Sequence, residues 1–168
     1  ILIPALKLNI SLQLKAGAEI IYVFDTNSSQ LEKDYFLGRY LKELKNNIFN
    51  SYPGQIAYFT KNKNIMMIEK INESLDIAGY VHNAENNFIQ SIKKNSSGFI
   101  QGNFLSENLA KPFNEFKADL KVFYEKINTL SPSDRSGWIC SLNHGVLPHT
   151  PEENVRYFIN FIRDKFKI

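Results

Sequence analysis

At 168 residues and 19.4 kDa, with 43% hydrophobic and 22% charged residues, the chain has the make-up of one globular domain with a sizeable core. That composition excludes a disordered tail, a collagen-like chain and a disulfide scaffold, and no apolar run approaches the roughly 20 residues of a membrane span. The net charge of +3 is mild, and Lys and Glu alternate along the predicted helices as solvated faces rather than forming a basic patch for nucleic acid.

The chain opens at Ile1 without an initiator Met, and Ile1–Leu6 lacks the charged region and small-residue cleavage site of a secretory signal. A longer parent protein is the expectation. Leu6–Leu14 reads as a helix that ends near Gly17. Short apolar runs rich in β-branched and aromatic residues then recur at Glu19–Phe24, Gln55–Thr60, Asp76–Val81, Gly98–Phe104 and Trp138–Leu142. Each has strand length, and each is followed by a stretch of helical period. Their continuous hydrophobicity predicts strands covered on both faces, as in a parallel sheet.

Helix starts are also readable. Ser29 and Glu32 form an S-x-x-E capping box ahead of Leu31, Tyr35, Leu41 and Leu44. Phe113, Phe116, Leu120, Phe123 and Ile127 mark a second helix. Thr150-Pro151-Glu152-Glu153 combines an N-cap Thr, a first-turn Pro and a reciprocal Glu, and the stripe Val155, Phe158, Ile159, Ile162, Phe166 follows. Two α/β architectures fit five such units. One is a compact five-stranded doubly wound domain; the other is part of a (β/α)8 barrel, whose whole needs about 250 residues.

In both architectures ligands meet the C-terminal ends of the strands. Polar groups stand there: Asp25–Ser29, Lys61–Lys63, His82-Asn83, Gln101–Asn103 and Ser141–Gly145. Lys61 and Lys63 stand where a polyanion could be steered, but a solvated loop is the favoured reading. His82 and His149 read as surface or loop histidines, and Asn143 as a left-handed loop residue. Met66, Met67 and Trp138 read as packing. Cys140 reads as a small core hydrophobe; as the one cysteine it can form neither an internal bridge nor a Cys-based zinc site, which points to a reducing compartment, and no metal site is predicted.

The segment Ser141-Leu142-Asn143-His144-Gly145-Val146-Leu147-Pro148-His149-Thr150-Pro151-Glu152-Glu153-Asn154-Val155 resembles the closing motif of the uroporphyrinogen decarboxylase family, N-L-G-H-G-[IVL]-L-P-D-T-P-x-E-N-V. Lys15-Ala16-Gly17-Ala18 with Phe24-Asp25-Thr26 is similar to the family's A-G-A segment and F-[DE]-S strand end, and Phe99-Ile100-Gln101-Gly102-Asn103 to its L-Q-G-N segment. The matches are collinear and cover nearly the whole chain. The family's acids at the positions of Val81 and Leu105 are absent, and Thr26 keeps the hydroxyl of the family's Ser.

The resemblance implies the C-terminal part of a (β/α)8 barrel, residues 1–168 forming one incomplete domain without its first three strands. It implies a cytoplasmic homodimer that removes carbon dioxide from the four acetate side chains of uroporphyrinogen, giving coproporphyrinogen in haem biosynthesis. No cofactor is implied, because the protonated pyrrole ring takes up the electrons released. No nucleic acid or membrane partner is implied. His144, Thr26, Gln101 and Asn103 are the implied substrate contacts. The essential Asp and the carboxylate-binding arginines belong to the missing strands, so the isolated chain is expected to be inactive. Two other readings stay open: a flavodoxin-like module binding phosphate at Thr26-Asn27-Ser28-Ser29, and a non-catalytic relative kept for assembly.

Overall fold

The computed structural model describes residues 2–61, 75–84, 86–95 and 97–166. Helix α1 (Leu2–Lys15) stops where the sequence places a glycine. Gly17 has φ +103°, and the Gly17 and Ala18 N–H groups close back onto the carbonyls of Leu14 and Gln13 at 3.0 and 3.1 Å. Strand β1 (Ile21–Asp25) follows, then a tight 3-10 turn over Thr26–Gln30. Helix α2 covers 33–47 and is wound as a π-helix over Phe36–Tyr40. Next come β2 (Ile56–Thr60), β3 (Gly79–Val81), α3 (Phe88–Lys94) and β4 (Phe99–Phe104). A short α4 (Ser106–Leu109), α5 (Phe113–Asn128), β5 (Trp138–Leu142) and α6 (Glu152–Phe166) complete the chain. The helix predicted after β2, with Met66, Met67 and Lys63, lies outside the described residues.

All strand pairs are parallel, and the order is β1-β2-β3-β4-β5. A doubly wound sheet reverses direction and adds strands on both sides of its first strand; this sheet never reverses. The compact doubly wound alternative is thereby corrected. The order is that of consecutive units of a β/α barrel, in which each strand adds to the same edge.

One face of the sheet carries the core. Ile21, Ile56, Tyr58, Tyr80 and Ile100 from the strands pack with Ile10, Phe36, Leu41, Phe88, Ile92 and Ile127 from the helices. Phe104, Phe116, Leu120, Phe158 and Ile162 extend it under α5 and α6. Burying each large side chain contributes about 1.5–3 kcal/mol. The stripes predicted for the last two long helices supply this contact, except that Ile159 is exposed.

The other face is open. Phe24 is 70% exposed and Ile139 42%, so the strands are not covered on both faces as their hydrophobicity predicts. Aromatic strand residues on an uncovered face read like core in a linear sequence. The sheet curls around this open side. Strands β1 and β4 would stand roughly 14 Å apart in a flat sheet, yet the rings of Tyr22 and Phe99 are 6.0 Å apart and the Tyr22 hydroxyl donates to Gln101 Oε1.

The two predicted caps are not made. Ser29 Oγ donates to the Thr26 carbonyl at 3.1 Å within the turn, and α2 begins only at Lys33. Thr150 Oγ1 is buried without a partner among the described residues; α6 instead starts with the Asn154 N–H bonding Pro151 O at 3.1 Å. His82 is not at the surface: it is 0% exposed, beneath α3, with Nε2 3.1 Å from Ser91 Oγ and its ring 5.1 Å from that of Phe88. Burial pushes its imidazole down to about 4. Trp138 packs as predicted, its Nε1–H donating to Gly102 O at 2.7 Å. Cys140 is mostly buried, and burial pushes its thiol up to about 12.

Candidate functional site

Strand β1 ends in a rigid turn. Tyr58 and Tyr40 both donate to Asp25 Oδ2, at 2.5 and 2.8 Å, on the helix side of the sheet. Burial, reinforced by the Asp25 charge, raises both phenol pKa values, so both remain donors. Ser28 Oγ donates to Asp25 O at 2.7 Å and lies 2.9 Å from Thr60 Oγ1. With Ser28 buried and committed inward, this turn does not present a hydroxyl cluster to a phosphate, which corrects the flavodoxin-like reading. What it does present is Thr26, whose hydroxyl has no protein partner among the described residues.

Thr26 opens onto a cavity of about 460 Å³ at the C-terminal ends of the strands, on the open side of the sheet. Phe24 and Phe59 form an aromatic wall, their rings 5.6 Å apart, and the His144 ring meets Phe59 edge-on at 6.2 Å. Lys61, Gln101 and Val81 complete the lining together with Leu142, Asn143 and Gly145. Every polar side-chain function facing this space is a donor or can act as one, and no carboxylate is among its described lining residues. Such a site suits a flat, apolar ligand that carries acidic substituents. A larger cavity of about 590 Å³ lies between α3 and α5 beside the end of β4, where Asn103, Phe104 and Leu105 line it together with the Asp119 carboxylate.

Three of the four predicted contacts, Thr26, Gln101 and His144, therefore converge. Asn103 does not. It is buried, donates to Ala84 O at 2.6 Å, and borders the larger cavity. Between the two, Gly102 has φ +140°, and a Cβ there would stand 2.7 Å from His82 O. Asn143 is likewise no left-handed loop residue: its buried Oδ1 accepts from the Ser106 N–H and hydroxyl. His149 is exposed as predicted. Sequence reasoning missed Phe24 and Phe59 as cavity residues and Tyr22 as their neighbour on the open face. The signal was present in the alternation of β1, where Tyr22 and Phe24 share one face and Ile21 and Val23 the other.

Among the described residues no three His, Cys, Asp or Glu side chains converge on a point where a metal ion would sit. No described helix is long and apolar enough to cross a membrane.

A one-way run of parallel strands with a donor-rich, aromatic-walled cavity at its strand ends defines a β/α-barrel type of ligand-binding architecture. The chain belongs to the uroporphyrinogen decarboxylase family, whose model, described as Uroporphyrinogen decarboxylase (URO-D), matches residues 1–165. A protein named uroporphyrinogen decarboxylase from Campylobacter lari is 30% identical over 167 residues, covering 97% of this chain and 46% of that protein. Its namesake from Nautilia profundicola is 31% identical over 159 residues, covering 92% of this chain and 44% of that protein. A Helicobacter pylori namesake is 26% identical over 161 residues. The chain thus spans about half the length of the curated relatives it matches.

Proposed function

We propose that this chain is the C-terminal part of a uroporphyrinogen decarboxylase and forms one side of its substrate pocket. The observation that carries the reading is the convergence of Thr26, Gln101, Lys61 and His144 around an aromatic-walled cavity with no carboxylate among its described lining residues. In each of four steps an acetate side chain loses carbon dioxide and the remaining carbon takes a proton to become a methyl group. The porphyrinogen keeps its propionates throughout, so a donor-lined wall retains its anionic partners from first step to last.

On this reading residues 1–168 form a single incomplete barrel lacking its first three strands, and the proton donor to the pyrrole comes from outside the described cavity lining. The chain alone is accordingly inactive. The parent protein acts as a cytoplasmic homodimer without a cofactor. The test is incubation of the intact protein that carries this chain with uroporphyrinogen, followed by chromatography of the oxidised porphyrins. Hepta-, hexa- and pentacarboxylate intermediates should give way to coproporphyrin. Binding without any loss of carboxyl groups would support the non-catalytic reading instead.

A further inference from the structure

Tyr22 and Gln101 are 79 residues apart in sequence and sit on strands three positions apart in the sheet, yet their side chains are hydrogen-bonded across its open face. The Tyr22 ring is fixed from two sides, stacked on Phe24 at 5.9 Å and tilted against Phe99 at 6.0 Å. A glutamine amide has one acceptor oxygen and one NH2 group, and a half-turn about its last bond exchanges them. Here the phenol proton goes to Oε1. In the reversed orientation the NH2 would meet the hydroxyl and the phenol proton would have no acceptor among the described residues. Partial burial raises the Tyr22 pKa, so the hydroxyl remains a donor. With Oε1 occupied, Nε2 is neither buried nor bonded to a described protein group, and Gln101 lines the strand-end cavity.

We propose that Tyr22 is a positioning residue that locks the Gln101 amide so that its NH2 group faces, and donates to, a carboxylate of the ligand in the strand-end cavity. The proposal rests on reading that cavity as the site of a polycarboxylate porphyrinogen. Without the tyrosine hydroxyl, the amide spends part of its time with Oε1 toward the ligand, where oxygen meets oxygen.

The test is fluorescence titration of the intact protein with uroporphyrin I, an octacarboxylate. Tyr22→Phe keeps the ring packing and should weaken binding about three- to tenfold. Gln101→Leu should lose a similar factor, and the double variant should lose no more than either single one. Gln101→Glu can still accept from Tyr22 but turns a second oxygen on the ligand. It should bind more than about tenfold weaker near pH 7, with the gap to the parent closing as pH falls and the new carboxyl protonates. Unchanged affinity in Tyr22→Phe beside a loss in Gln101→Leu overturns the positioning role and leaves the cavity assignment standing. An unmodified protein that binds no uroporphyrin overturns both. Should Tyr22→Phe melt early, the pH dependence of Gln101→Glu decides: a loss that does not recover at low pH counts against the proposal.

Discussion

The side-chain oxygen Oδ1 of Asn143 receives two hydrogen bonds from Ser106, one from its backbone N–H at 2.9 Å and one from its hydroxyl at 3.1 Å. The bond pair joins the end of β5 to the start of α4 and fixes the residue immediately before His144. Both partners are buried, so neither donor has water to fall back on.

Asn143→Leu removes the acceptor and leaves the Ser106 N–H and hydroxyl orphaned. We expect a loss of about 1–3 kcal/mol in urea unfolding. A change under half of that would mean that another group captures the Ser106 donors.

His144→Ala should behave in the opposite way. His144 is exposed, and its described ring contact is the edge-on approach to Phe59. Melting temperature should hold, while coproporphyrinogen formation by the intact protein falls about tenfold or more. Undiminished activity would remove His144 from the site.

Gly102→Ala introduces a Cβ 2.7 Å from His82 O at a φ of +140°. The strain and the clash should cost about 2 kcal/mol or more, read as a lower urea midpoint. A stable alanine variant would show that β3 and β4 can separate slightly at their ends.

His82 gives a pH dependence of definite sign. In the folded chain burial holds its pKa down to about 4, against 6.5 for an exposed imidazole. Between those values the unfolded chain binds a proton that the folded chain does not. Stability therefore decreases as pH falls from about 6.5 to about 4, and the loss is complete below that. The whole effect is on the order of 3 kcal/mol at ~1.4 kcal/mol per pH unit. Urea midpoints near pH 7 and near pH 5 should differ, and His82→Gln should reduce the difference. Equal slopes in the two proteins would assign the effect to other groups.

Strand β5 was legible to the residue, Trp138–Leu142, because Gly137 and the polar loop after it bracket an apolar run. The terminal motif was legible as well, and three of four predicted contacts meet in space. What the linear pattern hid was the side on which each strand residue stands. His82 and Asn103 look like exposed polar strand ends, but the pairing turns both into buried groups that bind neighbouring segments. Tyr22 and Phe24 look like core, but both stand on the open face, Phe24 in the cavity wall and Tyr22 bonded to Gln101. Caps failed for a related reason. The turn after β1 uses the Ser28 hydroxyl to tie β1 to β2 and the Ser29 hydroxyl to close on the Thr26 carbonyl, leaving Ser29 unavailable to the helix that follows.

Asn154 shows how the closing motif serves the fold as well as the cavity. Its Nδ2 donates to both Leu109 O and Lys111 O at 2.8 Å, clasping α6 to the connection between α4 and α5.

The unreversed strand order has a consequence for how the chain acquires its shape. Paired strand residues are separated by only 20 to 38 positions along the chain, as in Gly79 with Phe99 and Ile100 with Trp138. None of the four described pairings joins distant segments, so the loop-closure cost of each is small. During synthesis each unit can dock on the one made just before it, and the growing edge always offers the next strand its template.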